Sequence, residues 1–210
     1  MKVGKVINLN KFNLIIEFFK KNYLSLILTL FYIFGLAFGI FSYKNSDSIR
    51  EYSTDYLLKF CELRTESGFL KILFNSLFSS VTYIAFLFIA GGAILGFVLV
   101  PFLISVKGFS LGCITAYIYS EYALKGVAFN AVMIMPWAVI LVIAMILAGR
   151  ESIKFSFKLT GLTIPTNRPA NLFNVFKLYC GKYIFILFLC LLSAFADGLI
   201  SYYFADSFIL

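Results

Sequence analysis

Charged residues divide this chain into uncharged runs. No charge occurs from Asn22 to Tyr43, and Lys20, Lys21 and Lys44 flank that run. Further runs extend from Ile72 to Val106, from Gly108 to Ser120, from Gly126 to Gly149, and from Tyr183 to Tyr203 with one acid, Asp197, inside. A helix needs about 20 apolar residues to cross a hydrocarbon core about 30 Å thick. The pattern therefore predicts an all-α polytopic membrane bundle of about five transmembrane helices, over residues 22–43, 72–100, 107–122, 126–149 and 183–204. The second run is too long for one straight span. Gly91, Gly92, Gly96 and Pro101 interrupt it, which predicts a break or re-entrant turn near Gly96–Pro101, within a Gly/Pro-broken segment over residues 91–108.

Two polar segments have helical patterning. In the loop of residues 44–70, Ser48-Ile49-Arg50-Glu51 fits a capping box with Ser48 as N-cap. Beyond it Tyr52, Tyr56, Leu57, Phe60 and Cys61 recur at helical spacing. This predicts an amphipathic helix lying on the membrane, on its own bundle or on a partner, with Tyr52, Tyr56, Leu57 and Phe60 as candidate partner contacts. Residues 1–21 are also amphipathic and carry Lys2, Lys5, Lys11, Lys20 and Lys21, which suits an anionic lipid interface.

Composition agrees. Of 210 residues 61% are apolar and 13% charged, against about 45–50% and about 25% in soluble domains. A soluble enzyme, a disordered tail and a disulfide-rich secreted module are all excluded. The chain has no His, so His-based acid–base catalysis and His-ligated metals are excluded as well. The net charge of +8 would suggest nucleic acid in a soluble protein; here it reads as orientation. With the N-terminus inside and Lys107 counted in an inner loop, the inner segments carry +10 and the outer ones −2. The expected topology is N-terminus cytoplasmic and C-terminus extracytoplasmic.

Candidate chemistry is sparse. Cys61, Cys113, Cys180 and Cys190 form no CxxC, so neither a redox motif nor a zinc site is indicated, and no cofactor is expected. Gly91–Gly96 resembles a dinucleotide loop only superficially, because it lies inside an apolar run. Gly35 and Gly39, Gly92 and Gly96, and Gly108 and Gly112 are each spaced by four, which lets another backbone approach closely, within the chain or in a homo-oligomer. The intramembrane polar candidates are Asn75, Asn130 and Asp197, with Glu121 at a boundary. An acid in a span is a functional-site candidate; Asp197 could belong to a relay, snorkel, or pair with a basic residue.

The order of motifs resembles a known family. Gly91-Gly92-Ala93-Ile94-Leu95-Gly96 through Pro101 to Lys107-Gly108 and Gly112 is similar to the glycine/proline–KG core of stage II sporulation protein M. Lys125-Gly126-Val127 through Met135-Pro136, then Ala148-Gly149-Arg150 with Ser156-Phe157-Lys158-Leu159, and Tyr179-Cys180-Gly181-Lys182-Tyr183 before an acid-bearing last span, follow the same family's pattern. The resemblance implies a non-enzymatic bacterial membrane scaffold acting in forespore engulfment. It would recruit the peptidoglycan-remodelling stage II sporulation proteins D and P. The alternative is a permease-like membrane subunit associated with an ATP-binding cassette, suggested by the broken helix near Pro101.

Overall fold

The computed structural model describes residues 3–65, 68–163 and 172–204. In chain order its elements are α1 (Val3–Asn45), α2 (Asp47–Thr65), α3 (Phe69–Gly92), α4 (Gly96–Phe129), a π-helical segment (Asn130–Ile134), α5 (Met135–Thr163) and α6 (Leu172–Phe204). All regular structure among the described residues is helical, as backbone amides inside a bilayer require. The side-chain faces of the amphipathic segment 1–21 lie outside the described residues; its backbone from Val3 onward continues α1 without a break.

Four stretches are long and apolar enough to cross a membrane: Asn22–Asn45, Phe69–Gly92, Gly96–Thr160 and Phe173–Phe204. The third has 65 residues and would measure roughly 100 Å if straight, about three bilayers. It folds back instead. At Ala123 the backbone adopts φ 44° and ψ −122°. Just past that reversal Gly126 packs on Ile118, and at the far end Gly149 packs between Val100, Ile104 and Leu28. The stretch is therefore an antiparallel pair, and the bundle has five crossings. Large apolar side chains such as Phe34, Phe78, Phe102 and Ile184 cover its outer surface, the face a lipid-embedded bundle presents.

The break in the glycine-rich run sits earlier than the sequence suggests. Residues 93–95 form the turn between α3 and α4, with Ala93 extended at φ −85° and ψ 145°. The carbonyls freed there are capped from α5: Ser156 Oγ donates to Ala93 O at 2.9 Å and to Ile94 O at 3.2 Å. Pro101 stands inside α4 and does not end it. So near the helix start it removes one backbone bond and leaves the ladder on either side intact. Lys107 is consequently no loop residue. It lies roughly 16 Å along α4 from Gly96 and 24 Å from Ala123, in the middle of a span. Moving it out of the inner segments leaves the charge asymmetry of the two ends in place.

The closest helix pair is α1 with α4. A Cβ on Gly35 or Gly39 would collide with the backbone of Ser105 or Phe109, and one on Gly108 or Gly112 with that of Tyr32 or Leu36. The two glycine pairs thus face each other on parallel helices. Close backbone approach lets Ser105 Oγ donate to Phe31 O at 3.1 Å and Cys113 Sγ to Gly39 O at 3.4 Å. The third pair differs. Gly96 packs on Ala90 and Ser156, whereas nothing lies near Gly92, because the turn separates the two. The main core gathers Leu28, Ile84, Val100, Ile104, Met145 and Ile186. A second one forms beneath α2, from Leu57, Phe60, Ile118, Phe129, Met133 and Ala138.

Candidate functional site

The site is built around α2, among the described residues the one helix that does not cross. It begins at Asp47, one residue before the expected cap Ser48; Ser46 is the non-helical residue, and its carbonyl accepts from Arg50 N at 3.2 Å. Two arginines clamp the helix. At its start Arg50 Nε donates to Tyr43 O at 3.2 Å and Nη2 to Lys44 O at 3.0 Å, closing the carbonyl end of α1. At its end Arg64 Nη2 donates to Asp197 Oδ1 at 2.9 Å and Oδ2 at 2.7 Å, while Nε donates to Ser201 Oγ at 3.1 Å and Nη1 to Phe60 O at 3.2 Å. The guanidinium also lies 3.3 Å from the centre of the Phe60 ring. The Asp197 side chain is 1% exposed and that of Arg64 8%. Of the readings open for Asp197, the structure displays pairing.

The faces of α2 follow from these clamps. Leu57 and Phe60, expected to offer themselves to a partner, are buried in the core beneath the helix. Their spacing matches that of Ser53, whose hydroxyl is also buried, so all three turn inward. Tyr52 and Tyr56 stay exposed, at 69% and 41%. Burial pushes the Tyr56 hydroxyl above its ordinary range, and likewise the Cys61 thiol, where Arg64 opposes the shift.

Under α2 lies a two-lobed cavity between α3, α4 and α5. One lobe, about 310 Å³, is lined by Leu57, Phe109, Ser110 and Ile114 among others; the second, about 270 Å³, is lined by Lys59, Arg64, Asn75, Ser80 and Asp197 among others. Tyr56, Phe60, Ser79, Lys107 and Trp137 line both. The Tyr83 hydroxyl donates to Leu103 O and ties α3 to α4. Lys107, one turn further along α4, holds its Nζ 5.3 Å from the centre of the Tyr83 ring.

The remaining polar candidates are scattered. Asn75 shares the second lobe with Asp197. Asn130 is buried at the α4–α5 reversal and donates from Nδ2 to Tyr119 Oη at 2.8 Å, so it braces the hairpin. Glu121 is exposed near that same reversal. At the opposite end of the bundle, Ser152 Oγ donates to Leu87 O at 2.9 Å and sits 2.5 Å from Tyr183 Oη, while Tyr179 Oη donates to Phe88 O at 3.0 Å. Beside that knot Glu151 bridges Lys182 at 2.5 Å and Lys154 at 3.2 Å. Sequence reasoning gave Arg50 to a capping box and Lys107 to an inner loop, and did not single out Arg64. A buried acid calls for a cation, and Arg64 ends the polar helix between the first two spans, which was the available signal.

Fold and site together define a polytopic helical membrane protein with a clamped amphipathic helix at one end of its bundle. Residues 27–202 match the family model of SpoIIM, stage II sporulation protein M, and the chain belongs to that family. No curated protein and no solved structure matches it. The match connects the chain to sporulation; it lends nothing to the permease-like alternative.

Proposed function

We propose that the protein is a non-enzymatic scaffold in a bacterial cell membrane, with its N-terminus cytoplasmic and its C-terminus extracytoplasmic. Its role is to hold peptidoglycan-remodelling partners, stage II sporulation proteins D and P, during forespore engulfment. The observation that carries the reading is the clamp on α2. An amphipathic helix fixed at both ends by Arg50 and Arg64 keeps its inner face on the bundle and presents Tyr52 and Leu58 outward. Exposed aromatic residues on a rigid element are the kind of anchor that protein interfaces favour. The positive-inside rule supports α2 as extracytoplasmic, where wall-remodelling partners would work.

The test is affinity purification from sporulating cells, with mass spectrometry of the bound proteins. Wild type should recover proteins D and P, and Tyr52→Asp/Leu58→Asp should lose them while inserting normally. Equal recovery with the variant would remove α2 from the interface. Recovery of an ATPase instead of wall-remodelling proteins would overturn the scaffold reading.

A further inference from the structure

Lys107 is a cation in mid-span with no counter-charge among the described residues. A lysine at that depth is costly to bury, and such residues mark ligand or ion paths unless they are paired. Among the described residues no carboxylate stands within ion-pair distance of its Nζ; the contact it makes is with the face of Tyr83. The acid lining its cavity, Asp197, is already engaged by Arg64. A second cation, Lys59, lines the neighbouring lobe. Among the described residues that line it, the cavity therefore carries uncompensated positive charge.

We propose that this cavity binds the phosphate headgroup of an anionic lipid, with Lys107 as the counter-charge. Lysine binds phosphate as a point charge with three donors, and the hydroxyls of Ser79, Ser110 and Tyr56 line the same space. The other walls are apolar, from Leu57, Phe109, Ile114 and Trp137, which suits the glycerol and upper chain of an amphiphile. Asn75, Ser79 and Ser110 remain exposed on helices of membrane-crossing length, so the cavity opens sideways between α3 and α4 under the edge of α2. Each lobe is near the lower limit of small-molecule sites, enough for a headgroup and short of a whole lipid.

Trp137 lines both lobes and is the chain's sole tryptophan, so its fluorescence reports the site. The full chain is reconstituted in vesicles of phosphatidylcholine with rising fractions of dibrominated phosphatidylglycerol, and separately with dibrominated phosphatidylcholine. Quenching gives the relative binding constant of the two lipids. Wild type should prefer phosphatidylglycerol by about tenfold, from the low end of what a hydrogen bond to a charged group contributes. Lys107→Gln should bring the ratio to about one, and Lys107→Arg should restore it. A wild-type ratio near one would overturn the proposal without reference to any variant, as would an undiminished preference in a folded Lys107→Gln. Inorganic phosphate added to protein in phosphatidylcholine vesicles separates the two phosphate sources. No change in Trp137 emission is expected; a saturable change that needs Lys107 would assign the site to the free anion and overturn the lipid assignment.

Discussion

Replacing Asp197 by Asn removes one charge from the pair that fastens α2 and keeps the shape of the side chain. In the wild-type protein Asp197 accepts two bonds from Arg64, at 2.9 and 2.7 Å, and a weaker one from Ser201 at 3.4 Å. Removing one member of a buried ion pair costs about 3–5 kcal/mol, because the other charge stays desolvated. Here the guanidinium keeps the Phe60 carbonyl, the Phe60 ring and the Ser201 hydroxyl. That places the loss at the low end, about 3 kcal/mol, or roughly two powers of ten in the unfolding equilibrium. Arg64→Met alone leaves a carboxylate with only Ser201 and should cost at least as much. The double variant leaves neither charge buried. It should lie within about 1 kcal/mol of wild type, giving a coupling energy of about 5 kcal/mol or more in magnitude. The assay is unfolding by SDS titration in mild-detergent micelles, followed by Trp137 fluorescence. Asp197→Asn within about 0.5 kcal/mol of wild type, or a double variant that loses the sum of the singles, would refute the clamp.

Two further predictions concern the backbone. Gly112→Ala puts a methyl group onto the Leu36 carbonyl and should cost about 1–3 kcal/mol by the same unfolding assay, whereas Gly92→Ala meets open space and should be neutral or slightly stabilising. Equal losses at both positions would mean that the α1–α4 contact is not the reason for these glycines. Ala123 has a positive φ that favours glycine, so Ala123→Gly should stabilise the α4–α5 hairpin by about 1 kcal/mol; a loss of stability would contradict that turn geometry.

The number of crossings was legible in the sequence because a bilayer imposes a length on every charge-free run. The turn between the second and third was misplaced for a physical reason. Proline a few residues after glycine normally signals a break, yet Pro101 comes so early in α4 that it forfeits one bond. The pair Gly91-Gly92, more than two turns nearer the chain's start than Pro101, is where helix propensity fails. That shift also explains why Lys107 looked like a loop charge. The spacing of Gly35, Gly39, Gly108 and Gly112 announced tight packing, but which helix meets which is tertiary information that spacing does not contain. For α2, the period identified the helix, whereas the division between its faces depended on Arg64 finding Asp197 across 133 positions of chain. Leu57 and Phe60 are apolar residues at helical spacing, and such a pattern reads the same whether the partner is another protein or the chain's own core.

Photo-crosslinking in sporulating cells tests the scaffold account most directly. A photoreactive amino acid is placed at Tyr52, on the exposed face of α2, and separately at Phe34, which lies on the outer surface of α1 within the first span. The account predicts adducts with stage II sporulation protein D or P from position 52 and none from position 34. Adducts from position 34 with none from position 52 would contradict recruitment by the clamped helix.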